Sequence, residues 1–139
     1  MLAEQRPHSE PVYLVNALES AWNEYDLGAL TDLFDDDAVV VLSPGLDQPV
    51  GEVRYEGIAA IRDLLSLYVP DGSITTRDLA AEGHTATWVF EQTSGRLHAL
   101  GLPSTAGQAR ARVSDGRFQE LWLSFSPETE GRLRAARGR

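Results

Sequence analysis

The chain has 139 residues, 42% hydrophobic and 24% charged, with a formal net charge of −9, a size and composition suited to one globular domain that needs no disulfide or metal staple. It has no cysteine and, among its 12 basic residues, no lysine, which excludes thiol catalysis, disulfides, cysteine metal sites and lysine Schiff-base chemistry. There is no basic footprint for nucleic acid, no apolar run near the ~20 residues that span a membrane, and no secretory pattern in the opening MLAEQRPHSEP, so the sequence reads as soluble and cytoplasmic.

Residues 1–10 are polar and read as a flexible N-terminus. From Pro11 the spacing of Leu14, Leu18, Ala21, Trp22 and Tyr25 makes one apolar stripe and predicts a helix of about four turns. Asp26 is placed to cap a short second helix over 27–34, which the run Asp35-Asp36-Asp37 ends. Consecutive carboxylates diverge and no histidine is near in sequence, so the triple aspartate reads as a solvated helix end and no metal site is assigned. Residues 38–42 (AVVVL) predict a strand, and 45–56 a loop or short ribbon. A third helix opens at Gly57, carries Ile58, Ile61, Leu64, Leu65 and Tyr68 on one stripe, and stops at Pro70-Asp71-Gly72.

The second half predicts antiparallel strands over 73–81, 85–93, 96–102, 108–114 and 118–126, with Asp115-Gly116 as a tight hairpin. Helices early and strands late argue α+β rather than alternating parallel units. The core domain is expected over 11–126. The tail 127–139, with Arg132, Arg134, Arg137 and Arg139 against Glu128 and Glu130, reads as a frayed terminus or as a contact with the body or an acidic partner.

Four stretches carry a family resemblance. They are Ala21-Trp22-Asn23-Glu24-Tyr25-Asp26-Leu27-Gly28-Ala29-Leu30, Leu33-Phe34-Asp35-Asp36-Asp37-Ala38-Val39, Gly57-Ile58-Ala59-Ala60-Ile61-Arg62, and the closing Asp115-Gly116-Arg117-Phe118-Gln119-Glu120-Leu121-Trp122. In order and spacing they resemble the SnoaL-like polyketide cyclases of the nuclear-transport-factor-like superfamily, which also holds ketosteroid isomerases, limonene epoxide hydrolases and non-catalytic association domains. The resemblance implies a curved antiparallel or mixed sheet wrapped around three N-terminal helices, a cone-shaped pocket, and a homodimer through the outer sheet face. Such a fold hosts many functions and does not by itself choose one.

The resemblance does not carry a mechanism across. The aspartate that moves the proton in ketosteroid isomerases matches Leu42, and their helix tyrosine falls near Leu18. The epoxide hydrolase arginine and two aspartates match Val89, Glu91 and Leu123. In that register Thr87, Val89 and Glu91 face into the cone, with Gln119, Leu121, Leu123 and Phe125 beside them, while Trp88, Phe90, Phe118 and Trp122 form an aromatic outer patch and dimer surface.

Glu91 is then the candidate proton carrier in an apolar wall, or else a rim carboxylate in water or beside an arginine. His98 is a candidate second carrier, or a surface histidine. Trp22 and Tyr25 are candidates to stack on or bond a ligand and Tyr55 to lid the mouth, against ordinary packing.

The leading expectation is a cofactor-independent cyclase, isomerase or epoxide-opening hydrolase acting on a hydrophobic, polyketide-like substrate. The alternative is a non-catalytic ligand-binding or dimerisation domain. The arginine-only, alanine-rich composition is associated with actinobacterial secondary metabolism.

Overall fold

The computed structural model describes residues 9–43, 52–102 and 104–137. In chain order the elements are α1 (Ser9–Asn23), α2 (Leu27–Asp32), β1 (Phe34–Ser43), β2 (Val53–Glu56), α3 (Ile58–Tyr68), β3 (Ser73–Glu82), β4 (Thr85–Thr93), α4 (Gly95–Ala99), β5 (Thr105–Ser114), β6 (Arg117–Phe125) and α5 (Pro127–Arg137). The six strands form one sheet in the order β2-β1-β6-β5-β4-β3. All neighbours pair antiparallel except β1 and β6, which run parallel. The fold is α+β, as the order of elements in the sequence required.

Local chemistry places the helices. Asp26 caps α2 by accepting from the Ala29 N–H at 3.0 Å, replacing a bond that the first turn of any helix lacks. The stripe of α3 buries Ile61, Leu64, Leu65 and Tyr68 against the inner sheet face. The first helix has a second task. Its Asn23 accepts from Ile74 N at 2.7 Å and donates to Ile74 O at 3.0 Å, and Glu19 accepts from Thr76 N and its hydroxyl at 3.2 Å each. Strand β3 is a sheet edge, and these side chains take the place of a further strand on its open backbone groups.

Register shifts in three strand pairs bend the sheet: between Phe34 and Val39, between Arg77 and Ala80, and between Arg112 and Val113. The last matters most. Arg112 pairs with Glu120 and Val113 with Phe118, so Gln119 is the extra residue on β6. Both Phe118 and Leu121 therefore face the core. The Gln119 amide, out of the alternation, donates to Asp35 at 3.1 Å and to the Ser114 carbonyl at 3.2 Å.

Four sequence expectations are corrected. Residues 96–102 are not a strand: Ser94 caps a short helix by accepting from Leu97 N at 3.1 Å, and Leu97 and Leu102 anchor the segment in the core. Asp35 to Asp37 do not end a helix but open β1. Residues 127–137 are helical rather than frayed, with buried Thr129 accepting from Ala106 N at 3.0 Å and tying α5 to β5. The α5 arginines Arg132 and Arg134 meet Glu128 and Glu130 one turn away at 3.2 and 3.4 Å, so their partners lie on their own helix. Of the ribbon expected over 45–56, residues 45–51 lie outside the described residues, and Val53–Glu56 is β2.

Candidate functional site

The inner sheet face, α1 and α3 line a small apolar cavity of about 30 Å³. Trp22 of α1 and Leu64, Leu65 and Tyr68 of α3 form one side. Phe34, Val40 and Leu42 of β1, Gln92 of β4 and Leu121, Leu123 and Phe125 of β6 form the other. Periodicity explains the assembly. Alternate residues of β6 and the i, i+1, i+4 positions of α3 point the same way, and the sheet bend brings the two rows together.

Three polar side chains interrupt the apolar wall: Gln92, Trp22 and, through its hydroxyl, Tyr68. Gln92 is 4% exposed and donates to the Tyr68 carbonyl at 3.3 Å. Trp22 is 5% exposed, and its indole N–H is buried without a hydrogen-bond partner. No Asp, Glu, His or Arg lines the cavity among the described residues.

The sequence candidates divide cleanly. Trp22, Leu42, Leu121, Leu123 and Phe125 come together around the cavity. Tyr25 does not: it is 48% exposed, in the turn after α1, with a φ of 50°. Tyr55, on β2, is partly buried against the core and is not part of the wall. Gln119 is held at the bulge by Asp35 and Ser114.

Strand β4 is the main correction. Ala86, Trp88, Phe90 and Gln92 are buried, whereas Thr87 and Glu91 are exposed and Val89 is half-buried on the opposite face. A one-residue slip in the assumed register moves every side chain to the other face. Glu91 thus stands on the side of the sheet away from the cavity and cannot serve as a proton carrier within it. His98 lies exposed on α4 rather than on a strand beside the cavity. The aromatic outer patch dissolves for the same reason. Trp88, Phe90 and Phe118 are 3%, 1% and 0% exposed in the core, and of the four expected dimer-surface aromatics Trp122 alone faces out.

Sequence reasoning did not single out Phe34, Val40, Leu64, Leu65, Tyr68 and Gln92 for this wall. The α3 stripe contained three of them. Gln92 had its own signal: it continues the parity of Ala86, Trp88 and Phe90, so a polar amide falls in line with a buried row.

The outer face carries a broad, open groove of about 520 Å³ over β3 to β6, where Thr87, Val89, Gln108, Arg110, Trp122 and Ser124 lie. The Arg110 guanidinium stands 5.9 Å from the Trp122 ring centre. Glu120 accepts from Arg112 at 3.2 Å and from the Trp122 indole at 3.4 Å. These two bonds, that from Arg112 foremost, hold its carboxyl below the usual carboxylate range. Asp35 is also held low, first by the Asp37 backbone N–H and then by the Gln119 amide.

This arrangement, a bent open sheet with helices on its inner face around an apolar cavity, is one that known proteins share. The family model for the SnoaL-like domain matches residues 15–121, and the chain belongs to that family. Proteins described as NTF2-like are among its structural neighbours. An NTF2-like protein of unknown function from Mesorhizobium loti is 18% identical, with a TM-score of 0.68, over 88% of this chain and 95% of that one. An LEH-like epoxide hydrolase from M. tuberculosis is 17% identical, with a TM-score of 0.66, over 92% and 91%. A de novo designed protein with a curved β-sheet is 11% identical, with a TM-score of 0.63, over 94% and 96%. No curated protein matches the sequence. At these identities the likeness is one of fold, and a fold alone does not choose an activity.

Proposed function

We propose that the protein binds a small, uncharged, largely apolar molecule in the cavity between α1, α3 and the inner sheet face. The observation that carries this reading is the wall itself: eleven described residues, none of them charged, with side-chain polarity limited to Trp22, Tyr68 and Gln92. Burial supplies the driving force at about 25 cal/mol per Å² of apolar surface. Acid/base cyclisation, isomerisation or epoxide opening needs a proton carrier at the reacting atoms. Glu91 and His98 are not there, so binding is favoured over the enzymatic reading.

At about 30 Å³ the cavity has room for one or two waters. Its occupant is therefore small, or it displaces wall side chains as it enters. Xenon, a single neutral apolar atom, is a suitable probe. Titrated into protein with labelled methyl groups, it is expected to shift the Leu64, Leu65, Leu121 and Leu123 resonances saturably and leave those of Leu27 and Leu79 in place. Leu123→Phe, which fills the space, is expected to weaken binding by about tenfold or more. Shifts spread evenly over the molecule, or none, would sink the reading.

A second reading concerns assembly: the outer groove is a surface for a second copy of the chain. The favouring observation is charge. The outer face of β3 to β6 carries Arg77, Arg110, Arg112 and Arg117 against Asp78, Glu82, Glu91 and Glu120, a balance that frees it of the acidity of a chain with net charge −9 and of net repulsion for its like. Sedimentation equilibrium is expected to give a dimer that Trp122→Glu converts to monomer. A monomeric parent protein at high micromolar concentration refutes the assignment.

A further inference from the structure

We propose that Asp115-Gly116, at the tip of the β5–β6 hairpin, is a site of spontaneous isomerisation to isoaspartate, and that the Glu10 carboxylate latches it shut in the folded chain.

An aspartate before glycine is open to this reaction because glycine has no side chain to obstruct attack by its own backbone nitrogen. The Gly116 nitrogen bonds to the Asp115 carboxyl carbon, and the nitrogen's proton leaves with the carboxyl hydroxyl as water. The product is a five-membered succinimide ring. Water then reopens it. Cleavage of the nitrogen's bond to the side-chain carbonyl restores aspartate. Cleavage of its bond to the main-chain carbonyl leaves the backbone running through the side chain. Nothing is oxidised or reduced, and water is the only co-reactant.

The hairpin presents both groups. Ser114 pairs with Arg117, so Asp115 and Gly116 make up the loop. Both are exposed, and both have positive φ, 54° and 76°, as a type I′ turn requires. In such a turn the N–H of the second loop residue points out of the hairpin. Here it donates to Glu10 Oε2, in the first turn of α1. The other oxygen of that carboxylate lies 3.9 Å from His84 Nδ1, in the turn between β3 and β4. The His84 carbonyl in turn accepts from Val113 N at 2.9 Å. One side chain thus joins a helix to two turns.

That contact governs the reaction because a peptide unit moves as a plane. To bring the nitrogen to the carboxyl carbon, the plane between Asp115 and Gly116 must turn about the Asp115 Cα–C bond. This withdraws the N–H from Glu10. Isomerisation therefore proceeds through locally opened states, whose population the latch keeps low.

Asp71-Gly72 is the chain's other Asp-Gly sequence and serves as an internal control. Its surroundings are held by other groups. A methyl group on Gly72 would lie 2.0 Å from the Thr93 carbonyl oxygen. Ser73 N donates to Thr93 Oγ1 at 3.1 Å, and Gly95 N to the Pro70 carbonyl at 3.2 Å.

The parent protein and Glu10→Ala, aged side by side in warm neutral buffer and digested with trypsin, test the idea. Fragments 113–117 and 63–77 each hold one Asp-Gly, and their isoaspartyl forms, equal in mass, separate by chromatography. Glu10→Ala is expected to accumulate isoaspartate at Asp115 about tenfold faster than the parent, the effect of losing one hydrogen bond to a charged group, with the rate at Asp71 unchanged. In urea both sites of the parent are expected to convert at similar rates. An unchanged or slower rate at Asp115 in Glu10→Ala overturns the latch. So does an equal acceleration at Asp71, which assigns the effect to lost global stability. Absence of isoaspartate at Asp115 even in urea overturns the site itself.

Discussion

Gly107→Ala is expected to destabilise the protein by about 3 kcal/mol or more, read as a lower urea midpoint with an unchanged slope. Gly107 lies on β5 between Phe90 of β4 and Phe125 of β6. A methyl group there would sit 2.0 Å from the Ser124 carbonyl oxygen and 2.8 Å from the Phe125 Cα. Both are backbone atoms of the neighbouring strand, so no side-chain rotation relieves the clash and the strands must part. Glycine at this point lets two strand backbones approach closely. Gly131, on α5, is the control. A methyl group there meets nothing within 4 Å, and Gly131→Ala is expected to gain up to about 1 kcal/mol of helix propensity. Equal stabilities for the Gly107 variant and the parent would show that the close approach is absent.

Phe90→Ala is expected to cost about 3–5 kcal/mol, while Glu91→Ala stays within about 0.5 kcal/mol of the parent. The two residues are adjacent but occupy opposite faces of β4. Phe90 is 1% exposed and meets Phe125 edge-on, with ring centres 5.8 Å apart. Its truncation forfeits buried surface and leaves a hole that the close-packed core does not fill. Glu91 is exposed, and among the described residues it pairs through its backbone. Chemical denaturation of the two variants side by side measures the difference. Comparable losses, or a larger one at Glu91, would mean that the alternation of this strand runs the other way.

The β4 sequence Thr-Ala-Thr-Trp-Val-Phe-Glu-Gln-Thr contained the right answer in its own alternation. Trp88 and Phe90 are the largest apolar residues of the strand and two apart, whereas Thr87 and Glu91 are polar with the opposite parity. Burial energy assigns the aromatic row to the core. The family register set them outward and opposed that local signal. On β6 the alternation correctly placed Leu121, Leu123 and Phe125 inward and Trp122 outward. It misplaced Phe118 because the bulge at Gln119 reverses parity partway along the strand. No composition or spacing marks that bulge. It is stabilised by bonds to Asp35 and Ser114, which reach Gln119 only once β1 and β5 lie beside β6. Ser94 shows a third kind of difference: a capping side chain one residue before a glycine turned a segment that reads as a strand into one turn of helix.

What the sequence by itself determined is therefore local and periodic. It settled the first three helices on their apolar stripes, the Asp26 cap, the Asp115-Gly116 hairpin, the α+β order, and the absence of thiol and lysine chemistry, because each depends on neighbours a few residues apart or on composition alone. Tertiary structure decided which face of β4 is buried, how small the cavity is, and that its wall holds no acid. Those properties depend on a sheet whose bulges and close glycine contact set parity and curvature between strands far apart in the chain, where no short-range pattern reports them.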